Sequence, residues 1–289
     1  MHKSYLTVVI CSFNTKNITD KCLGCLSKGD KKLEIIVVEN GSDGTAEMIR
    51  SKYPRVKLIE PGENTGFARG SNLGLAAISP KTEYILLLNT DVFVKKDTID
   101  RAVAFFDSNP ECDVLGCRLY LADGRMQPSA GTLPTPGNVV SWMIGIGKQV
   151  HPTDPDYFAH VRQVGWVMGA FMMMKKEVYD RVGGLDENFF MYMEEVEWCK
   201  RMDTAGFNIW YVPDFGATHL DKGSSGGDIK GPLFKEKIGL IYYLKKYYPE
   251  SLWWVVPVIK TGMWLRKVAF GVLGNKDKSE IYAEILKNL

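Results

Sequence analysis

The stretch from Tyr84 to Val94 constrains this chain most. An unbroken apolar run, YILLL over residues 84–88, stops abruptly at Asn89-Thr90-Asp91. A run with no polar alternation is the pattern of a strand buried on both faces of a parallel sheet. Asn89 and Asp91 lie two residues apart at its end, so they point to one side of the pleat. In open α/β sheets that carboxyl edge is where ligands bind. A hard divalent cation such as Mg2+ or Mn2+ takes oxygen ligands and shares them with a substrate's phosphates. Asp91 is therefore a candidate ligand for a metal bound to a diphosphate. The same residues also suit the start of an ordinary turn.

The segments before this run alternate strand and helix patterns. Tyr5 to Cys11 reads as a first strand ending at Ser12-Phe13-Asn14, and a helix follows from about Lys16 to Ser27. Leu33 to Val38 reads as a second strand ending in Glu39-Asn40-Gly41. Ser42 or Asp43 can cap a helix over Ala46 to Lys52. Val56 to Ile59 is a shorter third strand, and Asn64 to Gly74 is a loop opening a helix. This alternation predicts a parallel, doubly wound sheet. Its polar strand ends, Ser12/Asn14, Glu39/Asn40 and Asn89/Asp91, then share one edge. In the 64–74 segment, glycines permit close backbone approach to a ligand. The helix start offers N–H groups to an anion, and Arg69 can help neutralise phosphate. No glycine precedes Gly24 in the first strand–helix turn, so the dinucleotide fingerprint is absent.

The 289 residues suffice for one large domain or two small ones. A formal net charge of +2 gives no sign of a nucleic-acid binder. Six cysteines include the lone pair Cys22/Cys25 in CxxC spacing, with no second pair or histidines to complete a zinc site. The thiols read as free, which implies a reducing, cytoplasmic setting. The apolar segment at the N-terminus is too short for a signal peptide.

The motifs VVICSFN, IIVVENGSDG, ENTGFARGSNLGL and YILLLNTDV occur in an order that resembles family 2 glycosyltransferases of the GT-A fold, near the rhamnosyltransferase-like members. The resemblance runs through roughly residues 5–225. It implies a Rossmann-like, mostly parallel central sheet flanked by helices in a domain spanning 1–228, with a helical extension over 229–289. The nucleotide-binding half would cover about 1–110 and the acceptor and base half about 111–228. Nucleotide contacts are implied for Ser12, Asn14, Glu39, Asn40, Asn64, Gly66, Arg69, Asn72 and Asn89. Glu39 stands where the family usually has Asp. The family's DxD motif falls on Asn89-Thr90-Asp91, so a Mn2+ or Mg2+ ion would rest on Asp91.

In the second half, Thr98 to Asp107 reads as a helix, Val114 to Leu121 as a strand and Ala122 to Arg125 as a hairpin turn. Residues 128–163 read as a long irregular loop covering the acceptor site, with His151 and His160 on the surface. Val164 to Met174 reads as one strand, in which Gly169 and Ala170 leave room for a sugar and Trp166 can stack on one. Its methionines are core fillers. Glu194, Glu197 and Arg201 suit a salt-bridged helix face. Phe189 and Phe190 nearby can desolvate a carboxylate and make it a usable base. The segment also resembles the family's D-E-x-F-F-x-Y-x-E-D pattern. That resemblance implies Glu195 as the base toward the acceptor hydroxyl, with Glu194 as the alternate. It further implies His219 toward the metal or diphosphate, and Lys222 with Ser224 toward phosphate. Asn208 to Val212 reads as a strand.

The tail reads as helical. Lys260, Arg266 and Lys267 interrupt its apolar stretches, which therefore fall short of the ~20 residues a bilayer span needs. Residues 252–273 suit either an amphipathic hairpin on a membrane surface or a helix pair for a core or a homo-oligomer. The sequence thus points to an inverting enzyme that moves a sugar from dTDP-rhamnose or a UDP-sugar to a hydroxyl of a glycan or lipid-linked glycan. Two other readings stand beside it: a nucleotidyltransferase that makes nucleotide-sugars, and a non-catalytic nucleotide-sugar-binding protein.

Overall fold

A computed structural model describes residues 5–27, 33–95, 97–143, 152–189, 191–220 and 230–288. The first half comprises β1 (Leu6–Ser12), α1 (Lys16–Leu26), β2 (Leu33–Glu39), α2 (Thr45–Lys52), β3 (Lys57–Ile59), α3 (Gly66–Leu75), β4 (Tyr84–Leu88), β5 (Val92–Val94) and α4 (Thr98–Ser108). Then follow β6 (Val114–Tyr120), β7 (Met126–Gln127), β8 (Ala130–Gly131), α5 (Pro136–Met143), β9 (Arg162–Gln163), β10 (Trp166–Val167), β11 (Phe171–Lys175) and α6 (Lys176–Val182). The last elements are α7 (Glu194–Thr204), β12 (Ile209–His219), α8 (Lys230–Tyr247), α9 (Leu252–Val272) and α10 (Lys276–Asn288).

The central sheet has the order β3-β2-β1-β4-β11-β6-β12-β5, with β7 on β6 and β9 on β12. β3, β2, β1, β4, β6 and β12 share one direction, while β11 and β5 run against it. Helices cover both faces, which is why its strands are continuously apolar. Ile85 and Leu87 point into one apolar cluster, Leu86 and Leu88 into the other. The same alternation divides Met172 and Met174 from Met173, and all three are fully buried as core fillers.

Three expectations need correction, and one strand was not expected. Residues 164–174 are not one strand: β10 and β11 are separated by Met168-Gly169-Ala170, and β10 pairs with β8 outside the main sheet. The strand expected over 208–212 continues to His219, with a register shift between Val212 and Gly216 that lets it pass Pro213. Val92–Val94 is an added strand, paired antiparallel to the end of β12. Leu252 to Val272 is one helix, not a hairpin. Pro257 lies inside it, in the second turn, where it removes one i→i−4 hydrogen bond.

The C-terminal helices share a core with the sheet. Tyr243, Leu244, Val255, Ile259 and Ile285 join Trp198, Cys199 and Val167 in one cluster. A buried ionic hub locks α8 to α7. Glu197, with no exposed surface, accepts from Arg201 Nε (3.0 Å), Lys246 Nζ (2.7 Å) and Tyr247 Oη (2.6 Å). Arg201 also donates to the Val182 and Gly184 carbonyls, and Lys246 to Asp186. Such a charge is tolerated inside because every partner is present.

Candidate active site

β1, β2 and β4 run in parallel, so their carboxyl ends bring Ser12, Glu39 and Asn89 to one edge. Ser12 is level with Glu39 in the ladder, and the Asn40 amide donates to the Ser12 carbonyl at 2.8 Å. Glu39 is buried. Its Oε1 accepts from the Gly41 amide at 2.7 Å, and its Oε2 has no partner. Burial pushes this carboxyl up, against the hydrogen bond from the Gly41 amide that pulls it down. Asn14 adopts a left-handed backbone, φ 51°, and its Oδ1 accepts from the Ser42 amide at 2.9 Å. A Cβ on Gly41 would lie 2.2 Å from that oxygen, so only glycine fits there. The result is a rigid polar wall with one unused carboxylate oxygen, suited to N–H or O–H groups of a nucleoside.

The glycine-rich segment is more self-contained than expected. Asn40 Oδ1 accepts from Thr65 Oγ1 at 2.7 Å, and Asn40 Nδ2 donates to Cys11 Sγ at 3.1 Å. Asn64 Oδ1 takes the Gly66 amide at 3.0 Å. The first amide of α3 is therefore already satisfied. Arg69 is half exposed and pairs with Glu63 at 3.0 Å. Asn72 is turned elsewhere: both its amide atoms hold Leu185, at 2.9 and 2.8 Å. It ties α3 to the loop before α7, a positional role in place of the expected nucleotide contact.

The end of β4 meets the break between β10 and β11. The Asn89 amide donates to the Ala170 carbonyl at 3.1 Å, and Asn89 Oδ1 is buried without a partner. Asp91 is 2% exposed. The antiparallel pairing of β5 with β12 brings His219 to it, with Nε2 3.2 Å from Asp91 Oδ1. That approach lacks hydrogen-bond geometry, and the oxygen has no other partner. His219 Nδ1 is held 2.7 Å from Gln127 Oε1. With Gln127 Oε1 as the acceptor, the proton would sit on Nδ1 and Nε2 would turn a lone pair toward Asp91. Two electron-rich atoms facing each other while buried fit a shared cation, which a ligand oxygen set would complete. Among the described residues no group of three His, Cys, Asp or Glu surrounds a metal position, so further oxygens would come from the substrate.

Gln127 was missed by sequence reasoning. The hairpin turn at 122–125 was legible, but the residue's place depends on two registers, Leu119 to Gln127 and Leu119 to Ala217. These set Gln127 beside His219.

The acid pair opens α7. Tyr192 and Met193 before it both take left-handed backbones, φ 73° and 74°, a strained approach of the kind found at functional sites. Glu194 is 4% exposed and Glu195 is half-buried, and Oε2 of each lacks a partner. Glu195 faces Gly169, where an added Cβ would stand 3.5 Å from the glutamate's own. Gly169 is next to the Ala170 that binds Asn89, so the acid pair and the Asn89–Asp91 motif border one edge. Burial, then the charge of Glu195, pushes the Glu194 carboxyl well above the usual carboxylate range. Burial pushes Glu195 up too, aided by Glu236 on α8, while its own, Val196 and Gly169 amides pull it down. Glu194 is thus the acid of the pair held further above the usual carboxylate range, and Glu195 the readier of the two to ionise.

One consequence concerns stability. A carboxyl with a raised folded-state pKa binds more protons folded than unfolded. Stability is then lost as pH rises from the unfolded value through the folded one. Glu194→Gln is expected to raise the thermal midpoint at neutral pH and to flatten this loss. Melts from acid to neutral pH would show it, and an unchanged pH slope would refute it.

Of the remaining expected residues, Trp166 is 4% exposed and packed in the core, which corrects the reading of it as a sugar-stacking ring. Ala170 is buried at the motif junction. His160 lies on the surface beside Asp156, as expected. Lys222, Ser224, Phe190 and His151 lie outside the described residues.

Comparison with known proteins gives the family and the fold. Residues 7–183 match the family described as glycosyl transferase family 2. The chain is 26% identical over 272 residues to the N-acetylglucosaminyl-diphospho-decaprenol L-rhamnosyltransferase of Mycobacterium tuberculosis, covering 88% of this chain and 87% of that protein. It is 29% identical over 220 residues to rhamnosyltransferase WbbL of Escherichia coli K12, covering 73% and 82%. Among solved structures, the mannosyltransferase PcManGT of Pyrobaculum calidifontis, in complex with GDP-Man and Mn2+, superposes with a TM-score of 0.60. That match has 15% identity and covers 99% of this chain and 86% of that one.

Proposed function

The chain belongs to glycosyl transferase family 2, a rhamnosyltransferase-like member, and from that premise we propose an inverting transfer of a sugar from dTDP-rhamnose or a UDP-sugar to a hydroxyl of a glycan or lipid-linked glycan. The observation that carries this reading is the junction at Gly169-Ala170, with Asn89 bound on one side and Glu195 on the other. Donor diphosphate and acceptor hydroxyl then meet within the reach of one carboxylate.

Glu195 takes the proton of the acceptor hydroxyl, whose oxygen attacks the anomeric carbon from the face opposite the diphosphate. A new C–O bond forms as the sugar–phosphate bond breaks, and its electron pair leaves with the nucleoside diphosphate. Glu39 Oε2, Ser12 and Asn14 hold the nucleoside. A divalent cation held by Asp91 and His219 would neutralise charge on the leaving diphosphate. Gln127 keeps His219 in the tautomer that this requires. Lys222 and Ser224 are proposed to approach the phosphates, since a cation there favours the departing charge.

The test is to mix the protein with a panel of nucleotide-sugars, Mn2+ or Mg2+ and glycan acceptors, and to follow nucleoside diphosphate release. Release with dTDP-rhamnose and a product of inverted anomeric configuration is expected. Pyrophosphate from a nucleoside triphosphate and a sugar phosphate would replace this reading with nucleotidyl transfer. Tight donor binding without turnover across all acceptors would reduce the chain to a binding protein.

A further inference from the structure

Among the described residues nine large hydrophobic side chains are exposed, and six of them lie on α9 or at its end: Trp253, Trp264, Leu265, Val268, Val272 and Leu273. Trp253, at 79% exposure, begins a stripe that continues through Pro257, Trp264, Val268 and Val272. Those steps of four and seven residues keep one helical face, about 28 Å long at 1.5 Å per residue. The opposite face, Val255, Ile259 and Met263, belongs to the core cluster shared with α10 and α5. A helix apolar on both faces has a second surface to cover.

The charges on this helix indicate what covers it. From Leu252 to Asn275 there is no acidic residue, while Lys260, Arg266 and Lys267 are basic. A two-fold contact between copies would set this patch against itself and bring like charges together. An anionic bilayer offers the complement: headgroups for the lysines, and an interfacial layer that tryptophan favours. No described helix is long and apolar enough to cross a membrane. We infer that α9 lies flat on the surface of a bilayer rich in anionic lipid and docks the protein there through Trp253, Trp264 and the lysines beside them. This inference does not rest on the proposed transfer reaction.

The test is co-sedimentation of the full chain with unilamellar vesicles. One set is phosphatidylcholine alone, the other phosphatidylcholine with phosphatidylglycerol. Two variants accompany the wild type: Trp253→Ser with Trp264→Ser, and Lys260→Glu with Lys267→Glu. All four positions are exposed or half-exposed, and a thermal melt like that of the wild type shows that each variant is folded. The wild type is expected to sediment with the anionic vesicles and to be released by salt. Each variant is expected to bind roughly tenfold or more weakly. A wild type that stays in the supernatant with both vesicle types overturns the inference, as does undiminished binding by both variants. A dimer in light scattering that the tryptophan variant converts to monomer, with no vesicle binding, assigns the face to a second copy of the chain instead.

Discussion

Glu195→Gln is expected to lower kcat for sugar transfer by about 10²- to 10⁴-fold, the range for removing a positioned general base. Glutamine keeps the size of the side chain and can still accept a hydrogen bond from the acceptor hydroxyl, but it cannot take the proton. The KM for the donor is expected to stay near that of the wild type, because the lost interaction is made only in the transition state. Glu194→Gln is the informative contrast. Glu194 is the more deeply buried acid, and its carboxyl is held well above the usual carboxylate range. Replacing it is expected to cost less than about tenfold in rate and to leave the rising limb of the pH–rate profile near its wild-type position, since Glu194 keeps its proton while Glu195 ionises. Steady-state assays across pH measure both effects. Full activity in Glu195→Gln, with loss in Glu194→Gln, would exchange the two roles.

Asp91→Asn is expected to remove metal-dependent donor binding. In the wild type, Mn2+ with nucleoside diphosphate should raise the thermal midpoint, since a ligand at a hundred times its dissociation constant stabilises by about 2.7 kcal/mol. In the variant this joint stabilisation should vanish, because an amide supplies no charge for the cation beside His219. Transfer should fall by about 10²- to 10³-fold, from the several kcal/mol a metal lends to a charged leaving group. The ligand-free protein should be no less stable than the wild type, as Asp91 Oδ1 has no hydrogen-bond partner to lose. This separates a binding role from a folding role. A variant that keeps the joint thermal shift would free Asp91 of the metal.

Much of the site was legible because it lies where strands end. Ser12, Glu39 and Asp91 each follow an apolar run, and parallel strands deliver their carboxyl ends to one edge whatever the detail of packing. The acid pair was legible through its motif. Gly169 was expected beside a sugar and stands beside Glu195, an assignment the residue's small size made reasonable. Trp166 was misread because a tryptophan next to glycines looks the same in sequence whether its ring faces a ligand or the core. Asn72 was misread for a related reason. An amide side chain in a loop serves the backbone as readily as a ligand, and only the position of Leu185 shows which.

The sequence by itself determined the α/β architecture and the edge of the sheet on which the candidate site lies, because these follow from local periodicity and from the single direction of parallel strands. Tertiary structure alone decided three other things. It brought His219 against Asp91 and Gln127, it closed Glu197 with Lys246 and Tyr247, and it left one face of α9 bare. Each depends on residues tens of positions apart, and a contact of that kind is set by strand register and helix packing, which no local pattern of residues encodes.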